Sequence, residues 1–362
     1  MFSILASLTK RKAVQTLEMT LTSSANAEVA VVFVHGLNGD PIKTWGFDRS
    51  PNWMTWIAEH FGERVSVSSI GYNISTTWWK KGSMSIQDRS TNLLSVLEKR
   101  LDDNIPIVFV CHSYGGLLFK NIYRMIHDYA NLTRFKERIA GVLFIATPHR
   151  GSKAANFVGY AGRLWRPTHV ARELQLNDPV IADLNLWFRN NSELFHANNA
   201  GILKETLSTH GLLIVDDSSS DPGITGVVPV AVDADHIDIC KPKSAYEVQF
   251  LALRRILANV MKAKRSSCGA ELNETLEKLR HCLSSGEHLD THDFEVLEKF
   301  KQTFPQTLTA SIAALQQHLT DYASIPRGIG QAIYRKRSSE KIKAETSLMN
   351  LRRAVEEMGE QF

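Results

Sequence analysis

The sequence predicts an α/β protein: a first domain with a mostly parallel, doubly wound sheet, followed by a C-terminal helical region. Between residues 28 and 261, short apolar runs alternate with stretches of helical spacing, which is the order typical of parallel sheets. One of these runs, 107–110, leads directly into a serine-containing turn and a further helical pattern. After residue 261 the apolar runs stop, and only helical stripes follow.

Composition narrows the class of protein. The 362 residues, 43% hydrophobic and 22% charged, are enough for one large soluble domain and a smaller one. The net charge of +4 is mild and most basic residues are scattered, so a nucleic-acid partner is not favoured. The four cysteines show neither zinc-type spacing nor the density of small disulfide-rich domains. We therefore expect a cytoplasmic protein with free thiols, no metal and no cofactor.

The N-terminal segment, 1–27, predicts neither a secretory signal nor a membrane anchor. Its apolar start is short, and the basic residues follow it instead of preceding it. Elsewhere no run approaches the roughly 18 apolar residues that a membrane span needs.

The elements before the serine turn can be taken in order. A β-branched run over 28–34 predicts a strand covered on both faces, and a loop that starts at His35 and Gly36 follows it. Three further elements are predicted from periodicity and caps: a helix over 52–61, a strand over 64–70 and a helix that Ser85 caps. The loop 71–82 carries Trp78 and Trp79, which we interpret as packing near a pocket, with a lipid-facing rim as the alternative.

The serine turn itself predicts a nucleophile. A strand over 107–110 ends just before Ser113, and a helical pattern follows at once. At such a sharp turn the serine hydroxyl is exposed at the carboxyl end of a buried strand, where a base can reach it. The turn needs small residues two positions before and after the serine. Gly115 meets this requirement, and Cys111 meets it less well than glycine would.

The elements after the turn continue the alternation. A strand is predicted over 141–146, and residues 153–200 are interpreted as helices that form a cap over the pocket. Two short strand candidates follow, 201–205 and 212–215, and a helix over 244–261 closes the domain.

A serine nucleophile needs an imidazole to take its proton, and the imidazole needs a carboxylate to fix its tautomer. His236 is the best candidate base because it lies in a loop after the last strand. His149 and His35 sit beside glycines in turns after earlier strands, so a structural role is favoured for both. His112 directly precedes Ser113, and we expect it to point away from the site.

The carboxylate has two candidates. Glu205 ends the predicted strand 201–205 and is preferred, because the acid in this kind of sheet follows the last strand but one. Asp216, after the candidate strand 212–215, is the runner-up. The backbone N–H groups of Leu37 and Tyr114 are the predicted oxyanion hole.

Four ordered motifs resemble one protein family. They are His35-Gly36-Leu37-Asn38-Gly39, His112-Ser113-Tyr114-Gly115-Gly116, Thr147-Pro148-His149-Arg150-Gly151-Ser152, and Asp235-His236 through Cys240-Lys241-Pro242. Together they resemble the serine-active-site-containing lipase-like family, related to the GPI inositol-deacylase group of α/β-hydrolases. The resemblance, over about 28–261, implies an α/β-hydrolase fold, a Ser-His-acid site and ester bonds of phospholipids or related lipids as substrates. It also implies a Glu-Thr pair at Glu205-Thr206, and it departs at Cys111, where the family has glycine.

The C-terminal region predicts a second unit. A basic linker, 262–269, precedes helical patterns over 270–362. The apolar stripes of these helices are Leu272, Leu276, Leu279 and Leu283; Leu308, Ile312, Leu315 and Leu319; Leu348, Leu351, Val355 and Met358; a shorter one holds Phe294, Leu297, Phe300 and Phe304. Each stripe is short, so we expect a small helical bundle that serves protein interaction or homo-oligomerisation, with a stabilising appendage as the alternative.

Two functions from different classes fit these observations. The first is a serine hydrolase that cleaves a carboxylic ester, in a lipid or phospholipid, through an acyl-enzyme, with peripheral membrane contact and control by the C-terminal helices. The second is a catalytically weak hydrolase-fold protein that binds other proteins. The complete set of Ser113, His236 and an acid favours the enzyme.

Overall fold

The structure is a computed structural model. It describes residues 17–72, 85–100, 105–152, 176, 178–209, 211–286, 291–303, 306–326 and 331–360. The chain divides into two compact units, Met1–Val260 and Met261–Phe362.

The described part of the first unit is built on a seven-stranded sheet in the order β1-β3-β2-β4-β5-β6-β7. Its strands are β1 Leu17–Thr22, β2 Val29–Val34, β3 Val65–Gly71, β4 Ile107–His112, β5 Ile139–Ile145, β6 Ala200–Glu205 and β7 Val230–Val232. Neighbouring strands are parallel, except that β1 runs antiparallel to β3 at one edge. The predicted mostly parallel, doubly wound sheet is confirmed.

Helices cover the sheet. Those of the first unit are α1 Trp53–Phe61, α2 Ile86–Arg100, α3 Tyr114–Asp128, α4 Thr133–Lys136, α5 Pro179–Asn190 and α6 Asp217–Ser220. Short 3-10 turns lie at Lys43–Trp45, Gly62–Arg64, Ala130–Leu132 and Asp238–Cys240. The helix α7, Val248–Ser285, contributes residues to both units.

Side-chain caps explain where two of the predicted helices begin. The Asn52 side chain accepts the N–H of Met54 at 2.8 Å, and the Thr55 hydroxyl accepts the N–H of Asn52 at 3.3 Å, which forms a capping box for α1. The Ser85 hydroxyl accepts the N–H of Asp88 at 3.1 Å at the start of α2. Both predicted helix starts are confirmed.

The central strands β2 and β4 are buried along their whole length. This is expected of parallel strands that helices cover on both faces, and it explains their unbroken apolar sequences. One large core cluster joins β4 and β5 to α3 and α5, with Phe109, Phe119, Phe144 and Phe188 fully buried in it. The core therefore lies directly beneath the turn that carries Ser113.

The predicted cap over 153–200 stays a prediction. Residues 153–175 and 177 lie outside the described residues, as does most of the loop 71–82 with its tryptophans. The described helix of the cap stretch, α5, packs Ile181, Leu184 and Phe188 into the main core cluster beside α3.

Two expectations about local structure were wrong. The candidate strand 212–215 is a loop, because the N–H groups of Ile214 and Val215 donate to the Glu205 carboxylate and not to a neighbouring strand. The sheet continues with β7 in its place. The predicted linker 262–269 is helical and forms part of α7, since its alanine, lysine and arginine residues favour helix and no proline interrupts them.

The second unit is helical, as predicted. Besides the end of α7, its helices are α8 Thr291–Thr303, α9 Gln306–Ser324 and α10 Gln331–Glu360. One apolar cluster joins all four. Besides Tyr322 and Ala344, its members come from the predicted stripes: Leu272, Leu276, Leu279, Leu283, Leu297, Phe300, Leu308, Ile312, Leu315, Leu319, Leu348, Leu351 and Val355. The side chains of Phe304 and Met358 lie outside the described residues.

Candidate active site

Ser113 lies at a sharp turn between β4 and α3. Its backbone has φ 51° and ψ −123°, a strained conformation for a residue with a side chain, and its N–H donates to the carbonyl of Ile145 at 2.9 Å. The turn brings Gly115 so close to the carbonyl oxygens of Val34 and His35 that a Cβ would strike them. These features match the strand-turn-helix geometry of a nucleophile elbow, and they explain why the residue two positions after the serine must be small.

The cysteine that departs from the family pattern is accommodated within the sheet. Cys111 is fully buried in β4, where it pairs with Val34 on one side and Phe144 on the other. Burial raises the pKa of the Cys111 thiol well above its ordinary value, so the group stays neutral. The turn at Ser113 keeps its conformation with cysteine in this place.

His236 brings its imidazole to Ser113. The Nε2 atom lies 2.9 Å from the Ser113 Oγ, and the Nδ1 atom contacts the carboxylate of Glu205. A carboxylate only accepts hydrogen bonds, so Nδ1 carries the ring proton and its N–H donates a hydrogen bond to Glu205. Nε2 is then left as an acceptor for the Ser113 hydroxyl. All three side chains are buried.

Glu205 stands at the end of β6 and uses both carboxylate oxygens. One accepts the N–H groups of Ile214 at 2.8 Å and Val215 at 2.9 Å, and the other accepts from His236. The loop that the sequence suggested as a strand therefore holds the carboxylate in place. The runner-up, Asp216, has a different position: it caps α6 and accepts the Ser219 N–H at 3.1 Å.

The backbone of His236 is held at both of its polar groups. Its N–H donates to the Thr209 hydroxyl at 3.0 Å, and its carbonyl accepts from Nε2 of His112 at 2.9 Å. The expectation that His112 points away from the site was wrong. A regular strand would place neighbouring side chains on opposite faces, but the strand ends here in the strained turn of Ser113.

The loop after β2 lies against the serine. A Cβ on Gly36 would lie 2.8 Å from the Cβ of Ser113, so only glycine permits this approach. The next residue, Leu37, is buried in the core. The backbone N–H groups of Leu37 and Tyr114 as the oxyanion hole stay a prediction, which this close approach supports.

The two rival histidines have other surroundings. His35 stacks on Tyr72 with ring centroids 4.2 Å apart, and its Nδ1–H donates to the carbonyl of Gly36 at 2.8 Å. His149 is fully buried with its ring against Phe144, 4.8 Å between centroids. Burial lowers the pKa of His35 to about 4 and that of His149 well below its ordinary value. Both histidines are therefore neutral, and each lies in the loop that follows its strand and packs its ring against an aromatic side chain.

Two kinds of feature are absent from the described part of the chain. There, no group of three or more His, Cys, Asp or Glu side chains is arranged to hold a metal ion. Within the same residues, no helix combines the length and the apolar character needed to cross a membrane.

Residues 24–186 match the protein family described as "Putative serine esterase (DUF676)". The match includes the turn with Ser113 and the loop with Leu37, whereas Glu205 and His236 lie beyond it. The predicted enzyme class, an ester hydrolase of the serine esterase type, is the class of this family.

Curated proteins named SERAC1 match a longer stretch. Protein SERAC1 of Homo sapiens is 29% identical over 241 residues, which cover 59% of this chain and 36% of that protein. Protein SERAC1 of Mus musculus is 28% identical over 242 residues, with the same two shares. The aligned part of the chain thus spans little more than a third of the length of these relatives.

Solved structures with similar coordinates include the mature lipase BlEst2 of Bacillus licheniformis, with a TM-score of 0.46 and 15% identity, over 67% of this chain and 99% of that one. Phospholipase PlaB of Legionella pneumophila has a TM-score of 0.41 and 16% identity, over 54% of this chain and 45% of that one. The family resemblance predicted from the motifs is confirmed: the chain is similar to SERAC1 proteins and, over residues 24–186, to the family described as "Putative serine esterase (DUF676)".

Proposed function

We propose that the protein is a serine hydrolase that cleaves a carboxylic ester, with Ser113 as nucleophile, His236 as base and Glu205 as the orienting acid. The observation that carries this proposal is the position of the His236 imidazole, in contact with the Ser113 hydroxyl on one side and the Glu205 carboxylate on the other. Three residues far apart in sequence meet in the geometry that nucleophilic catalysis requires.

The chemistry follows from these contacts. Nε2 of His236 takes the Ser113 hydroxyl proton while Oγ attacks the ester carbonyl carbon, and the carbonyl oxygen becomes an oxyanion. The N–H groups of Leu37 and Tyr114 stabilise this oxyanion. The intermediate collapses as His236 returns the proton to the leaving alcohol, which leaves an acyl group on Ser113. Water, deprotonated by His236, then attacks the acyl carbon. The bond from this carbon to Ser113 Oγ breaks, His236 returns the proton to Oγ, and the acid is released.

The substrate class is proposed to be a lipid or phospholipid ester. Three large apolar side chains are exposed on the loops that carry the acid and the base. Leu207 lies two residues after Glu205, and Ile237 directly follows His236. Leu212 forms an isolated β-bridge with Thr209. Leu207 is 48% exposed, and the other two are 37% exposed. Exposed apolar side chains on these two loops suit acyl chains and contact with a membrane surface better than a small polar ester.

Covalent labelling with a fluorophosphonate probe tests the reaction. The full-length chain is expected to be labelled, and Ser113→Ala and His236→Ala are expected to lose labelling while Ser218→Ala, at an exposed hydroxyl, keeps it. Lack of labelling in folded wild type would contradict the enzyme and favour the alternative, a hydrolase-fold protein that binds other proteins.

A series of p-nitrophenyl esters of increasing acyl length, followed by phospholipid vesicles, tests the substrate class. Leu207→Ser and Leu212→Ser are expected to reduce kcat/KM for long chains more than for acetate. Tyr129→Ser is the matched control, because the Tyr129 side chain is also exposed. Ser113 directly precedes α3 and Tyr129 directly follows it, so the length of this helix, about 22 Å, separates the two residues. Equal losses for all chain lengths would contradict the lipid proposal.

The helical unit is proposed to mediate homo-oligomerisation or protein binding, and the cellular setting is proposed to be the cytoplasm. Light scattering on the full chain over a range of concentrations tests the first part. A single monomeric mass at all concentrations would exclude homo-oligomerisation.

A further inference from the structure

We propose that His112 is a positioning residue that holds the catalytic base in place, a role that rests on the proposed function. His112 ends β4 and directly precedes Ser113. Its Nε2–H donates to the backbone carbonyl of His236 at 2.9 Å. A side chain on the strand of the nucleophile thus anchors the peptide of the base, which lies 124 positions further along the chain.

This anchor complements a second one. The His236 N–H donates to the Thr209 hydroxyl at 3.0 Å, so both polar groups of the peptide are fixed. A fixed peptide leaves only the side-chain torsions to set the imidazole, and these place Nε2 at 2.9 Å from Ser113. Of the two anchors, His112 is the one next to Ser113 in the chain, so it links the position of the base directly to that of the nucleophile.

The hydrogen bond also defines the form of His112 that is required. A carbonyl oxygen only accepts, so Nε2 must carry the proton. Nδ1 faces the loop after β2, where a Cβ on Gly36 would approach it to 3.1 Å, and within the described residues this nitrogen has no hydrogen-bond partner. Burial lowers the pKa of His112 well below its ordinary value, and the His236 ring, 4.8 Å away, adds to the effect. His112 is therefore a neutral donor.

A packing role is the competing explanation, because the ring also lies edge-on to Trp45, with centroids 6.4 Å apart. Two amide substitutions separate the explanations. The amide nitrogen of glutamine lies three bonds beyond Cβ, as Nε2 of histidine does, whereas that of asparagine lies only two bonds beyond it. His112→Gln can therefore restore the donor and His112→Asn cannot, although both are buried amides of similar polarity.

The experiment measures kcat and KM for a p-nitrophenyl ester and the fluorophosphonate labelling rate of the full-length variants. We expect His112→Asn to lower kcat and the labelling rate at least about tenfold with KM changed less than about twofold, because the base is displaced. His112→Gln should keep kcat within about threefold of wild type. Equal losses in the two variants, or unchanged kcat in His112→Asn, would overturn the inference.

The result is distinguishable from failure of the proposed function. If the folded wild type is not labelled, the proposed function fails and this inference falls with it. If the wild type and His112→Asn are labelled at equal rates, only the inference fails.

A second measurement does not depend on the variants being stable. In full-length protein with nitrogen-15-labelled histidines, His112 is expected to show the Nε2–H tautomer and no titration near the ordinary histidine pKa of about 6.5. A proton on Nδ1, or titration near the ordinary value of about 6.5, would overturn the inference.

Discussion

A Cβ on Gly36 would lie only 2.8 Å from the Cβ of Ser113. The loop after β2 and the serine turn after β4 therefore touch at a point where there is room for glycine but not for a residue with a side chain. This contact sets how close the backbone of Leu37 comes to Ser113, so a change in the loop also affects the turn.

Gly36→Ala is expected to push this loop away from Ser113. Loss of one oxyanion donor costs about 3 kcal/mol of transition-state stabilisation, so kcat should fall by about two to three orders of magnitude. Gly269→Ala, where nothing lies within 4 Å of the new Cβ, is the control and should leave kcat unchanged. Steady-state kinetics on both variants measure this, and a Gly36→Ala enzyme with wild-type kcat would contradict the proposed oxyanion hole.

The acid can be tested with two isosteric substitutions. In Glu205→Gln the amide oxygen can still accept the N–H groups of Ile214 and Val215. The amide NH2 group then faces Nδ1 of His236, and it cannot accept the Nδ1–H hydrogen bond unless the amide turns and gives up the first two contacts. We expect kcat to fall by about 10³ to 10⁴.

Asp216→Asn is the matched control for the acid. Asparagine caps helices as well as aspartate does, so α6 and kcat should both be retained. A large loss of kcat in Asp216→Asn together with a retained kcat in Glu205→Gln would identify Asp216 as the acid.

The pKa of His35 predicts a loss of stability in acid. Burial lowers the pKa to about 4 in the folded state, against about 6.5 in the unfolded chain, so the unfolded state binds more protons between these values. The contribution is complete above pH 6.5 and is lost as the pH falls toward 4, and the total loss of stability is about 3 kcal/mol.

His35→Phe keeps a ring against Tyr72 and cannot be protonated, so its free energy of unfolding should fall less between pH 7 and 4 than that of wild type. Urea unfolding at a series of pH values measures the difference. Parallel pH profiles for the two proteins would show that another group is responsible.

The helical unit offers a stability test that is independent of the site. Leu315 is fully buried in its apolar cluster, so Leu315→Ala should lower the free energy of unfolding of this unit by about 2 to 5 kcal/mol. Met349, which is 63% exposed on α10, is the control, and Met349→Ala should change it by less than about 0.5 kcal/mol. Thermal and urea denaturation followed by circular dichroism compare the two, and equal effects would contradict the packing described here.

The parts of the site that sequence analysis located have strong local signals. Ser113 stands between an apolar strand and a helical pattern, and Glu205 ends an apolar strand. The anchoring contact of His112 has no such signal, because it joins residues 124 positions apart and depends on a strained turn.

The two wrong predictions about the fold have a similar origin. Ile214 and Val215 are apolar and buried, so their sequence resembles a strand, although their N–H groups serve a carboxylate. Hydrophobic periodicity reports burial and does not report where backbone donors point. The basic stretch 262–269 suggested a linker by composition, yet charged residues with good helix propensity are compatible with the helix that runs through it.

The strand β7 has a consequence for the behaviour of the protein at high concentration. It forms the last strand of the described sheet, is only three residues long, and directly follows Pro229, which has no N–H to donate. An incoming strand from a second molecule would find very little backbone to pair with at this side. The shortness of β7 and the proline before it therefore make edge-to-edge aggregation unfavourable at this side of the described sheet.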